Sequence, residues 1–295
     1  MISGLFEHGA GLRSQRVAVR NNTPQTAVWV FWTGRDLCLR VTALVILVLA
    51  CLQSPKASAA ATLPEVIDRV RPSVVAIGLV YPARQPNRKS DPIVYLGTGF
   101  VVGNGRQVIT NAHVIPRAID VEGQQKLAVF SGRGSAARVH LAAVTRTSEE
   151  HDLALLRIGA PGLPALPLDT AAAVREGQEV AFTGFPIGNV LGLYPATHRG
   201  IVSAITPMAR SVENARDLNA AQISRLRNPY DVYQLDAVAY PGNSGSPLFD
   251  PASGKVIGVI NAVLVKESRE AALQRPSGIS YAIPVRFVQQ LMNAP

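Results

Sequence analysis

Cysteine is almost missing from this chain: 295 residues contain two, Cys38 and Cys51, and both fall within the first 59. Beyond that segment there is no thiol, so neither a disulfide framework nor a thiolate metal site can be proposed. Aromatic residues are scarce at 6%. No run of five or six basic residues interleaves with them, which argues against a nucleic-acid surface despite a formal charge of +9. Arg13, Arg16, Arg20, Arg35, Arg40 and Lys56 outnumber Glu7 and Asp36 in residues 1–59, so the remainder carries +5. The apolar run Val41–Leu52, "VTALVILVLACL", is twelve residues long, short of the roughly 20 needed to span a bilayer.

That run follows Arg35 and Arg40 and precedes "QSPKASA", which ends in an A-x-A pattern at Ala57-Ser58-Ala59. A positive flank, a short apolar core and a small-residue site read as a secretory signal peptide cleaved after Ala59. Residues 1–59 are then a leader, and the working chain, 60–295, is exported to the periplasm or cell envelope. The alternative is an uncleaved anchor through residues 41–52, the one membrane attachment expected. The forty residues ahead of the apolar core exceed an ordinary n-region, so translation is expected to begin nearer Leu37. Cys51 follows "LVLA", but Leu49 fits a lipoprotein acceptor poorly.

What the chain does have is short β-rich runs punctuated by 24 glycines and 21 prolines. "SVVAIGLVY", "IVYLGTGFVV", "QVIT", "KLAVF", "ARVHLAAVT" and "LALLRI" form one group. "QEVAFTGF", "RGIVSAIT", "VYQLDAVAY", "KVIGVINAVLV" and "GISYAI" form a second, with a strand-like "SPLF" inside it. The expected fold is all-β: two antiparallel six-stranded barrels, the first over about 73–158 and the second over about 178–283, joined by a connector at 159–177. Short helices flank them. "TLPEVIDRVRPS" carries Thr62 three residues before Glu65, a capping-box pattern, with apolar residues at helical spacing up to Pro72. Residues 284–293, "PVRFVQQLMN", repeat apolar positions about every three residues. The polar stretch 207–231 fits neither pattern and reads as an insertion or loop.

Amide hydrolysis by serine needs a hydroxyl, an imidazole to take its proton, a carboxylate to orient that imidazole and N–H donors for the oxyanion. His113 stands in "VITNAHVI" at a strand end, and Asp152 in "HDLALLRI" at the entrance to an apolar strand. Each alone is compatible with a purely structural role. Ser244 stands in "YPGNSGSPLFD", where Gly242 can adopt angles closed to other residues. Its N–H and that of Ser244 can then converge as an oxyanion hole. A phosphate loop is excluded because no Lys-Ser/Thr pair opens a helix here. A lipase elbow is excluded because position 246 is serine.

The blocks "GTGFVV", "VITNAHVI", "HDLALLRI", "GNSGSPL" and "GISYAIP" occur in an order that resembles the HtrA/Deg branch of chymotrypsin-like serine proteases, from about Ser73 to Pro284. The resemblance implies a double β-barrel in which His113, Asp152 and Ser244 form the catalytic triad. The oxyanion hole would draw on the backbone N–H groups of Gly242, Asn243 and Ser244. Val238 falls at the base of the primary specificity pocket, which implies small or medium apolar residues before the cut. Asn243 occupies a position where digestive relatives carry an aspartate, so activation by a newly cut N-terminus is not expected. Only eleven residues follow Pro284, which leaves no room for the PDZ domain usual in the branch. The 207–231 segment is the expected regulatory loop.

The expected partners are polypeptides, unfolded or envelope proteins in particular, with no nucleic acid, no cofactor and no metal. His140, His151 and His198 lack ligand spacing with a carboxylate or thiolate and read as surface or strand residues. Family precedent implies a homo-oligomer, a trimer, to which residues 62–71 could contribute. The alternative from another class is a trypsin-like fold that binds proteins, as a chaperone module does, with little proteolysis. An esterase on the same triad is a third.

Overall fold

In the computed structural model the described residues are Thr42, 61–81, 93–119, 124–159, 161–171, 173–186, 192–208, 229–262 and 278–294. The chain divides into two units, 1–59 and 60–295. Apart from Thr42 the leader, with its apolar run and both cysteines, lies outside the described residues, as does 209–228 of the expected regulatory loop. Among the described residues no helix is long and apolar enough to cross a membrane.

The first group of apolar runs forms β1 (Val74–Val80), β2 (Ile93–Val102), β3 (Gln107–Thr110), β4 (Lys126–Ser131), β5 (Arg138–Ser148) and β6 (Leu153–Ile158). They close an antiparallel barrel in the order β1-β2-β3-β6-β5-β4. The second comprises β7 (Glu179–Gly184), β8 (Ala196–Pro207), β9 (Asp231–Asp236), β10 (Pro247–Phe249), β11 (Val256–Asn261) and β12 (Ile279–Pro284). These close as β7-β8-β9-β12-β11-β10. The strand expected to run through "VYQLDAVAY" stops at Asp236. Its last residues, Ala237–Tyr240, leave the sheet and lead to the Ser244 loop.

Near-continuous apolar strands arise because both faces are buried, with side chains alternating between them. In the first barrel Val75, Ile77, Val101, Val108, Val129 and Leu156 pack together. Their neighbours Val74, Ala76, Phe100, Phe130, Leu153 and Leu155 face a second cluster that also takes in Ala181, Phe249, Val259 and Ile283 of the other barrel. Val180, Phe182, Val202, Leu235, Leu248 and Ile260 fill the second barrel. Each such side chain, fully buried, contributes roughly 1.5–3 kcal/mol, so the shared layer ties the barrels into one core.

Helix α1 (Leu63–Val70) begins with a capping box, in which the Thr62 N–H donates to the Glu65 carboxylate at 2.8 Å. Pro72 does not stop the chain abruptly; one 3₁₀ turn, Arg71–Ser73, delivers it to β1. Val66 and Val70 of α1 are buried in the shared layer, as are Val288 and Leu291 of helix α2 (Val285–Asn293).

Candidate active site

β3 and β6 pair with Ile109 opposite Leu155 and Thr110 opposite Ala154. The residues just past the end of one strand therefore meet those just before the other. His113 lies on a 3₁₀ turn, Ala112–Val114, that follows β3, and Asp152 immediately precedes β6. The Nδ1 of His113 lies 2.6 Å from Asp152 Oδ2, and the His113 backbone N–H donates to Oδ1 at 2.9 Å. The ring is 30% exposed and the carboxylate 15%, so the pair sits at the rim of the barrel with one ring edge open.

Asp152 has φ +52, in the left-handed region where non-glycine residues are uncommon and Asp is among the better tolerated. Its carbonyl accepts from the Ala112 N–H at 3.1 Å and from the Asn111 side-chain amide at 3.0 Å. Those bonds hold the turn that aims the carboxylate at His113. The neighbouring His151 stacks on Phe287 of α2 at 4.0 Å and lies 4.8 Å from the Tyr230 ring. It also makes a 3.0 Å contact with the Ser148 hydroxyl. Packing of this kind makes His151 a support of the turn.

Ser244 comes from the second barrel, on the loop between β9 and β10. It is 4% exposed, and Asn243 is fully buried. The Ser244 C=O accepts from the Thr98 N–H of β2 at 2.9 Å, which joins the loop to the first barrel. Gly242 and Gly245 have φ +100 and +87. At Gly245 even a Cβ would collide with the Thr98 carbonyl oxygen, so glycine is obligatory there. Ser244 Oγ accepts from the Ala262 N–H at 3.3 Å; among the described residues it makes no hydrogen bond to His113.

The three residues grouped as oxyanion donors separate here. The Asn243 N–H donates to the Tyr240 carbonyl at 2.9 Å, so the expectation for it is corrected: it is already engaged within the turn. The N–H groups of Gly242 and Ser244 have no hydrogen-bond partner among the described residues. Val238 is half-buried in the segment between β9 and the Ser244 loop.

Asn261, at the end of β11, joins the candidate site and was missed by the sequence reading. Its side-chain amide donates to Asp152 Oδ2 at 2.6 Å, so the carboxylate accepts from three donors. A lone amide inside the apolar run "KVIGVINAVLV" was the available signal, because a buried polar group in such a strand needs a partner. His140 and His198 lie on strands. His140 Nε2 contacts the Ser131 hydroxyl at 2.8 Å, and His198 stacks on Phe182 at 4.8 Å. Burial lowers the pKa of both.

Residues 97–259 match the trypsin-like peptidase domain. A probable periplasmic serine endoprotease, DegP-like, from Halomonas elongata is 33% identical over 195 residues, 64% of this chain and 33% of that protein. A putative serine protease, HhoA, from Synechocystis is 32% identical over 67% of this chain and 42% of its own length. The mitochondrial serine protease HTRA2 of Bos taurus is 31% identical over 78% of this chain and 42% of that relative. The chain thus spans less than half the length of these relatives. The HtrA-type protease AlgW, solved with a decapeptide, has the same fold at 24% identity with a TM-score of 0.56, over 79% of this chain and 67% of that one. A match across more than half the sequence and a closed double barrel agree: the chain belongs to the trypsin-like peptidase family, with HtrA and DegP-like serine proteases among its relatives.

Proposed function

We propose that this chain is a serine endopeptidase in which Ser244 is the nucleophile, His113 the general base and acid, and Asp152 the group that orients His113. The observation that carries the reading is the 2.6 Å contact between His113 Nδ1 and Asp152, made on the barrel that also bonds the Ser244 loop. With Nδ1–H committed to the carboxylate, the lone pair on Nε2 is the one left to accept a proton.

Attack begins when the Ser244 hydroxyl turns from Ala262 to Nε2. The Oγ–carbon bond forms as the Oγ proton passes to His113, and the carbonyl π electrons move onto oxygen. The unpaired N–H groups of Gly242 and Ser244 receive that oxyanion; each such donor is worth roughly 10²–10³ in rate. Collapse breaks the C–N bond, and His113 gives its proton to the leaving amine. Water, deprotonated by His113, then releases the acyl group and restores Ser244. Polypeptides with small or medium apolar residues before the cut are the expected substrates, with Val238 at the pocket base. Export of residues 60–295 to the periplasm or envelope follows from the leader; N-terminal sequencing of the exported protein checks the cut after Ala59.

The test is labelling of the purified protein by a fluorophosphonate, with casein cleavage alongside. Wild type is expected to label and to cleave unfolded casein. Ser244→Ala is expected to do neither, since loss of a triad nucleophile costs about 10⁶ in rate. Labelling that persists in Ser244→Ala refutes the assignment of the nucleophile. Labelling without cleavage points to narrow specificity.

A further inference from the structure

Resting on the protease reading above, we propose that Thr98, on β2 of the first barrel, is a positioning residue for the oxyanion loop of the second. Its hydroxyl donates to the Gly242 carbonyl at 2.6 Å. The same oxygen accepts from the Phe185 N–H at 2.9 Å, which takes one lone pair and leaves the hydroxyl proton directed at Gly242. Thr98 is fully buried, so water does not compete for either bond.

The geometry of the three successive peptides explains what this bond does. The proposed donors sit on the first and third, as the N–H groups of Gly242 and Ser244. The middle peptide carries the Gly242 C=O and the Asn243 N–H, and it is held at both ends, by Thr98 Oγ1 and by the Tyr240 carbonyl at 2.9 Å. The third is held through the Asn243 C=O, which accepts from the Ser246 N–H at 3.0 Å. The first peptide has no hydrogen bond of its own among the described residues. Its aim is set through the torsions of Gly242, the residue least able to restrain them. Fixing the middle peptide is therefore what fixes the Gly242 N–H.

The Asn243 N–H bond to Tyr240 holds one end of the middle peptide, and Thr98 holds the other. Among the described residues, Thr98 supplies the one side-chain group bonded to the backbone of residues 240–246. The Asn243 side chain, fully buried, has no hydrogen-bond partner among the described residues, nor does the Ser246 hydroxyl. Loss of the Thr98 hydroxyl leaves the middle peptide held at its N–H end alone, so the Gly242 carbonyl gains freedom to tilt and the adjoining donor loses its aim.

Thr98→Val removes the hydroxyl at nearly constant shape, and Thr98→Ser retains it. Casein cleavage and the fluorophosphonate labelling rate are measured for both beside wild type and Ser244→Ala. Thr98→Val is expected to lower kcat and labelling about 10- to 100-fold, less than or comparable to losing one donor outright, with KM changed less than about threefold. Thr98→Ser is expected to stay within about threefold of wild type. If Thr98→Val does not fold, Thr98→Cys, with a weak S–H donor, takes its place and is expected to fall below Thr98→Ser. A folded Thr98→Val (or Cys) that labels like wild type, a rise in KM alone, or equal losses in the Ser and Val variants would each overturn the proposal. In those cases wild-type labelling that depends on Ser244 leaves the protease reading standing; an unlabelled wild type removes both.

Discussion

Asn261 and Asp152 are 109 residues apart, yet their side chains meet at 2.6 Å, and this contact is where a single substitution tells most about the charge of the site. In the proposed mechanism His113 becomes a cation, which Asp152 stabilises only while ionised and correctly aimed. Asn261→Ala removes one of three donors to the carboxylate; the expected result is a loss of about 10-fold in labelling rate, near the worth of a hydrogen bond to a charged group. Asn261→Asp is nearly isosteric but sets a second carboxylate within bonding distance of the first. Two such groups cannot both ionise, so they share a proton, and His113 loses its full counter-charge. Asn261→Asp is expected to label more slowly than Asn261→Ala at neutral pH, and the order of the two rates measured side by side is the check. His113, Asp152 and Ser244 were singled out as candidates by the order of the blocks that hold them, and the structure sets the first two against each other. Asn261 and Thr98 were not singled out, because their roles are contacts between barrels, and no local spacing encodes a partner more than 100 residues away.

Among the elements, α1 offers the most direct link from sequence pattern to measurable energy. The capping pattern at Thr62 and Glu65 was readable, and the bond it implies is present at 2.8 Å. Replacing Thr62 by Ala keeps that backbone donor and removes the side-chain half of the capping box, at an expected cost of about 0.5–2 kcal/mol, the usual range for a lost N-cap. Glu65 adds a pH signature. Its pKa is lowered from 4.5, first by the bond from the Thr62 backbone N–H, with the Thr62 hydroxyl and Arg69 also contributing. A carboxyl depressed in the folded state binds fewer protons there than in the unfolded chain, so its contribution is present above about pH 4.5 and fades as pH falls through the lowered value. Thermal melts of wild type and Glu65→Ala should therefore differ at pH 7 and converge only once the pH has fallen well below the ordinary value of 4.5. A gap that stays constant across that range would mean that Glu65 acts through packing and not through its charge. The strands were legible for a similar local reason, since buried alternation and turn residues mark them. The end of β9 was misread because "AVAY" is as apolar as the strand before it; what takes it out of the sheet is the need to reach Ser244.

At the scale of the whole molecule the two barrels share one apolar layer. Phe100, Phe130, Leu153 and Leu155 of the first meet Phe249, Val259 and Ile283 of the second, with both helices packed against them. The junction also carries the Thr98–Ser244 backbone bond and the close approach at Gly245. A site assembled from both barrels survives only while they stay together, so their unfolding should be coupled. Leu248→Ala tests this from a distance, because Leu248 is fully buried inside the second barrel, away from the shared layer. Leaving a cavity there costs about 2–5 kcal/mol. If the barrels unfold as one, the slowest-exchanging amides of the first barrel, among them Val129 and Leu156, lose protection by the same free energy as Ile257 in the second. Hydrogen exchange under native conditions reads both sets in one experiment. Unchanged protection in the first barrel would mean that the barrels open independently, with the shared layer acting as an interface that His113 and Ser244 can part across.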